Sequence, residues 1–177
     1  MKELKELIKS KALFTGEFIL SSGRKSNFYV DMSKVSFDAE GINLISRIII
    51  EEFNGSWQYV NAIGGPAMGA ICLTAGILTM FGEFNIKKRG FSYLKQYKSH
   101  GKKELIEGDL RSDDRVVVLE DVTTTGNSLL KCVQEVQKLG CKIAGVMVVL
   151  DREEGAIELF KEKGIHFHPL IKISDII

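Results

Sequence analysis

Cysteine is scarce in this 177-residue chain: Cys72, Cys132 and Cys141 are an odd number and lack metal-ligand spacing. That excludes a disulfide scaffold and reads as reduced thiols in a cytoplasmic core. Only two prolines occur, and no repeat, low-complexity stretch or linker divides the chain. Long apolar runs are missing too. None reaches the roughly 18 residues of a spanning helix, and the opening MKELKELIKSKALF has no uninterrupted apolar signal core. Charge of one sign is not in excess, since 24 Lys+Arg face 23 Asp+Glu for a net +1. A wholesale nucleic-acid or membrane-surface binder is more basic, so any electropositive function must come from a local cluster. What remains is 45% hydrophobic and 27% charged, suited to one globular domain over residues 1–177.

The hydrophobic pattern alternates between strand and helix. Residues 2–10 form a short amphipathic helix, and LFTGEFILSSGRKSNFYVDM reads as a hairpin around Ser-Ser-Gly. Asp38 caps a helix through about Phe53, with Ile42, Leu44, Ile45 and Ile48 to Ile50 as its buried stripe. QYVNAI (58–63) is a short strand stopped by Gly64-Gly65-Pro66, followed by a helix from about Met68 to Met80. VVVLE (116–120) and IAGVMVVL (143–150) are apolar on both faces, as central parallel strands must be. Helices over 127–139 and 153–163 end at Gly140 and Gly164, and IHFHPLI returns as a strand. The order predicts an α/β fold with a mainly parallel sheet flanked by helices. Such sheets bind ligands beyond the carboxyl ends of their strands, which points to Gly64–Gly69, Glu120–Ser128 and Asp151–Glu154.

The segment VVVLEDVTTTGNS carries the most chemistry. A buried strand delivers Glu120 and Asp121 to the sheet edge, and a Thr/Gly/Asn/Ser loop then enters a helix. Backbone N–H groups of that loop and the helix N-terminus suit a phosphate, with Gly126 allowing close approach. The adjacent carboxylates suit ribose hydroxyls, directly or through Mg²⁺. No GxxxxGK[ST] occurs, which excludes a Walker loop.

LEDVTTTGNS resembles the phosphoribosyl-pyrophosphate (PRPP) signature of the type I phosphoribosyltransferases. More narrowly, the chain is similar to the orotate phosphoribosyltransferase family, through FTGEFILSSGRKSNFYVDM (14–32), GGPAMGA (64–70), YLKQYKSHGKKELIEG (93–108) and VVLDREEG (148–155). The resemblance implies the type I phosphoribosyltransferase fold, with an N-terminal hood of about residues 1–35 and a flexible catalytic loop of about 94–107. It also implies transfer of the 5-phosphoribosyl group of PRPP to orotate, giving orotidine 5′-monophosphate and pyrophosphate, with Mg²⁺ required. The enzyme would be a homodimer with shared active sites.

Residue by residue, the resemblance puts Glu120 and Asp121 on the ribose hydroxyls and makes them the protein oxygens available to Mg²⁺, which is held mainly by PRPP. Val122, Thr123, Thr124, Thr125, Gly126, Asn127 and Ser128 complete the PRPP signature, with Thr123–Ser128 around the 5′-phosphate. Thr124 also approaches orotate, and Arg152 matches the arginine of the orotate site. A planar guanidinium suits an anionic pyrimidine. Residues 87–103 hold Lys87, Lys88, Arg89, Lys95, Lys98, His100, Lys102 and Lys103 with no acid among them. Lys95, Lys98 and His100 match the loop that reaches the neighbouring subunit's site. Lys98 is the leading catalytic candidate on the departing pyrophosphate, His100 the secondary one, and Asp121 the catalytic acid of the signature. Gly64–Gly69 would face the pyrophosphate, and Ser22–Lys25 would lie over the nucleobase with Phe28 and Tyr29. His166 and His168 carry no assigned chemistry.

Three positions depart from the family pattern: Leu94 where an arginine is common, and Ser21 and Gly69 where some members have lysine. Two readings compete with the orotate enzyme, a phosphoribosyltransferase for another nucleobase and a non-catalytic PRPP-binding regulator. The second usually needs a DNA-binding region or a basic face, and neither is evident.

Overall fold

The computed structural model describes residues 1–19, 25–53, 55–94 and 105–177. Helix α1 (Lys2–Lys11) leads into an antiparallel hairpin of β1 (Leu13–Ile19) and β2 (Lys25–Val30), a two-stranded sheet of its own. Short α2 (Ser33–Ser36) and α3 (Ala39–Glu52) follow. Asp38 caps α3 as expected, its carboxylate accepting the Gly41 N–H at 3.1 Å. Ile45, Ile48 and Ile49 are buried, while Ile42, Leu44 and Ile50 pack partly buried at the margin. The chain continues through β3 (Ala62–Pro66), α4 (Gly69–Glu83), β4 (Arg89–Tyr93), β5 (Ile106–Gly108), β6 (Arg115–Thr123), α5 (Asn127–Lys138), β7 (Lys142–Asp151), α6 (Ala156–Glu162) and β8 (Phe167–Lys172).

The main sheet has the order β5-β4-β3-β6-β7-β8, parallel throughout except for the antiparallel edge strand β5. Alternation within the apolar strands divides the core. Val117, Leu119, Met147 and Val149 face the side packed by α1, α3 and α4; Val116, Val118, Val146 and Val148 face α5 and Phe160 of α6. Both faces are covered, which is why these strands read as continuous apolar runs. Leu4, Ile8, Val30, Met32 and Val35 join the first cluster, so α1 and the base of the hairpin are anchored in the main core. Of the thiols, Cys132 and Cys141 are buried and Cys72 is half-buried.

The strand expected over 58–63 lies further on. Trp57–Tyr59 form a 3₁₀ turn and pairing begins at Ala62, carrying Gly64 and Gly65 inside β3. Packing overrides their turn propensity. A methyl group on Gly64 would overlap the Phe91 carbonyl of β4, and one on Gly65 the Leu119 carbonyl of β6. The cationic run also divides. Lys88 donates to the Trp57 and Val60 carbonyls, and Arg89 pairs with the buried Asp114, so both serve the fold. β4 and β5 pair across the base of the excursion, where the Leu94 N–H donates to the Leu105 carbonyl at 2.7 Å. Lys95, Lys98, His100 and Ser21–Arg24 lie outside the described residues.

Candidate active site

The chain runs from β3 outward to β4 in one direction, and β6 returns on the other side of β3. This reversal opens a crevice between the carboxyl ends of β3 and β6, where open α/β sheets bind ligands. A cleft of about 640 Å³ lies there. Its walls are Ala67–Gly69 after β3, Glu120–Ser128 from β6 into α5, Arg152 after β7, and Ile19, Tyr29 and Val30 from the hairpin. Glu120–Ser128, Arg152 and Tyr29 are on this wall, as expected; of Gly64–Gly69 only Ala67–Gly69 are, because Gly64–Pro66 lie within β3, and Phe28 is not. Ile19 and Val30 were not anticipated, because the pairing that turns a hairpin over a sheet leaves no mark in local pattern.

Glu120 is buried and Asp121 half-buried at the end of β6. Burial pushes the Asp121 carboxyl above the usual carboxylate range. The charge of Asp31 pushes the same way, while a hydrogen bond from the Val122 N–H at 2.7 Å opposes it. Gly69 closes against this pair: a Cβ there would lie 2.7 Å from Glu120 Oε1 and overlap the Asp121 carboxylate. The lysine that some family members carry at this position would displace the acids. Beyond them, Gly126 takes φ +79° at the start of α5, and its missing side chain leaves room for Ala156 and Phe160. α5 has no side-chain cap hydrogen bond and its first residues Asn127 and Ser128 line the cleft, which leaves its first-turn N–H groups and positive dipole end available to an anion. Asn127 Nδ2 donates to Thr125 Oγ1 at 2.9 Å, bracing the loop.

After β7 ends at Asp151, residues 152–155 form an irregular bend, and α6 begins only at Ala156, later than the expected helix start at 153. Glu153 adopts φ +57°, with its N–H donating to Asp151 Oδ1 at 2.9 Å and its Oε2 accepting the Ser174 N–H at 3.0 Å. Arg152 is therefore buried, not a solvated helix residue, with its side chain 7% exposed. Its guanidinium carbon lies 4.8 Å from the centre of the Phe28 ring, and its Nε lies 3.0 Å from Glu154 Oε1. His166 just precedes β8 and His168 lies on it, and neither lines this cleft. Their rings stack 6.2 Å apart, and His168 faces Glu52 at 3.5 Å.

An apolar parallel strand ending in two acids, a Thr/Gly loop capping a helix, and a crevice at the switch point together define a phosphoribosyltransferase of type I. A family model described as phosphoribosyl transferase domain matches residues 38–167. The orotate phosphoribosyltransferase of Methanothermobacter thermautotrophicus is 39% identical over 98% of this chain and 92% of its own length. Among solved structures, the orotate phosphoribosyltransferase of Aeropyrum pernix superposes with a TM-score of 0.84 at 29% identity, covering 98% of this chain and 95% of that one. The Mycobacterium tuberculosis enzyme in complex with PRPP gives 0.79 at 30% identity, covering 98% and 96%. The chain belongs to the orotate phosphoribosyltransferases.

Proposed function

We propose that this cleft transfers the 5-phosphoribosyl group of PRPP to N1 of orotate, releasing pyrophosphate and giving orotidine 5′-monophosphate for UMP synthesis. The observation that carries the reading is the meeting, in one cleft, of an acid pair, an anion cradle and a buried guanidinium. Thr123–Ser128 and the α5 N-terminus take the 5′-phosphate. Glu120 and Asp121 take the ribose hydroxyls, orienting the anomeric carbon. Arg152 takes the anionic base, with Thr124 beside it. As the bond from the anomeric carbon to pyrophosphate breaks, positive charge grows on the sugar, and the two carboxylates are placed to favour it.

The donor set suits Mg²⁺ carried on PRPP: two hard carboxylate oxygens, with no group of three or more metal-ligating side chains among the described residues. When bound, the ion would neutralise charge on the leaving pyrophosphate. Lys95, Lys98 and His100 are the proposed pyrophosphate contacts, delivered by the loop of a partner subunit in a homodimer. The whole of 1–177 would act as one domain in the cytoplasm. Among the described residues no helix is long and apolar enough to cross a membrane.

Three experiments test this. Arg152→Ala should raise KM for orotate about 10- to 150-fold, the loss of a charge-assisted contact, and leave KM for PRPP nearly unchanged. An assay offering orotate, uracil, hypoxanthine or nicotinate should show turnover with orotate; another preferred base would overturn the acceptor. For the shared site, inactive Lys98→Ala and inactive Asp121→Asn proteins should regain activity when mixed under subunit exchange. One of the two sites in each heterodimer would then hold an intact loop and an intact acid pair. Demonstrated exchange without activity would mean that the loop acts in its own subunit.

A further inference from the structure

We propose that Glu154 and Phe28 are positioning residues for Arg152 and thereby set the preference of the cleft for a base bearing a carboxylate. The proposal rests on the reading that Arg152 meets the orotate anion. A guanidinium whose side chain is 7% exposed needs a partner for its charge, and Glu154, itself 17% exposed, stands 3.0 Å from Nε. Phe28 adds a second contact, its ring centre lying 4.8 Å from the guanidinium carbon.

These two contacts hold the guanidinium from two sides. Glu154 supplies the counter-charge as an ion pair beside Nε, while the buried Nε–H itself has no hydrogen-bond partner among the described residues. Arg152 lines the cleft, so its fork is left with donor capacity for a carboxylate ligand. Holding a long side chain in that geometry before the base arrives removes its ordering cost from binding.

Both supports are themselves fixed. Phe28 packs on the main core, and Ser26 Oγ brackets its backbone, donating to the Phe28 carbonyl at 2.7 Å and accepting its N–H at 3.4 Å. Tyr29, next along β2, lines the cleft, so the hairpin uses one side chain for the wall and its neighbour for the prop. Glu154 stands in a bend held by the Asp151 and Ser174 contacts of Glu153 and by Gly155 at φ +111°. The hairpin and the end of β7, remote in sequence, thus meet at one guanidinium.

The test measures kcat, both Michaelis constants and Tm for Glu154→Ala, Glu154→Gln and Phe28→Leu, with Arg152→Ala as reference. Glu154→Ala should raise KM for orotate about tenfold while KM for PRPP stays within about twofold. Glu154→Gln keeps the shape but removes the counter-charge, and should lose nearly as much as Glu154→Ala. Phe28→Leu should raise KM for orotate about three- to tenfold. Adding Glu154→Ala to Arg152→Ala should cost nothing further, since the residue acts through the arginine. The proposal is overturned if Glu154→Ala and Phe28→Leu leave KM for orotate unmoved, lower it, or raise both Michaelis constants alike. If Arg152→Ala itself leaves KM for orotate unchanged, the assignment of Arg152 has failed. A normal Arg152→Ala effect beside silent supports sinks the positioning roles alone.

Discussion

Asp121→Asn should weaken Mg²⁺–PRPP binding about 10- to 150-fold and at the same time raise Tm at neutral pH. The first effect would be the loss of the charge-assisted contact proposed between Asp121 and the ribose hydroxyls. The second follows from burial, which raises the Asp121 pKa in the folded state above its ordinary value of 3.8. A carboxyl raised on folding adds most stability while protonated in both states, and that contribution is lost as pH rises through the folded pKa. At neutral pH the native chain therefore carries a buried charge at a cost, and asparagine removes it while still accepting the Val122 N–H. The stability gain should fade on acidification and vanish below about pH 3.8. Calorimetric titration with Mg²⁺–PRPP, together with melting curves across pH, reads both effects. Unchanged PRPP affinity would remove the acid pair from the site. An unchanged or lower Tm at neutral pH would refute the burial cost.

The other large effect is on the fold. Gly65→Ala should destabilise the protein by about 3 kcal/mol, lowering Tm by about 6–12 °C for a chain of this size. The new methyl would overlap the Leu119 backbone carbonyl and lie 2.9 Å from the Ala70 side chain, so β3 must move away from β6 or α4. Either movement shifts Gly69 from its seat against Glu120 and Asp121, and activity should fall with stability. Gly82→Ala is the control. It adds a methyl into open space near the end of α4 and should be neutral or gain up to about 1 kcal/mol. Equal melting temperatures for the two variants would mean that the glycines of β3 answer to something other than close packing.

Much of this protein was determined locally. Two long apolar strands, helices closed by Gly140 and Gly164, and the Asp38 cap depend on periodicity and backbone preference, which a short window of residues contains. The acid pair and its loop were legible for the same reason, since strand, acids, hydroxyls and helix start are contiguous from Val116 to Ser128. The rest was decided by residues far apart in the chain. Gly64-Gly65 reads locally as a stop, yet it lies inside β3 because two neighbouring carbonyls leave no space for a Cβ. Arg89 reads as one more loop cation, yet the buried Asp114, 25 residues on, takes it into the fold. Arg152 by spacing is an exposed helix start, and only the approach of Phe28 and Glu154 makes it a buried, oriented donor. Hydrogen-bond periodicity acts over a few residues, whereas steric exclusion and the pairing of buried charge act across whatever the topology brings together.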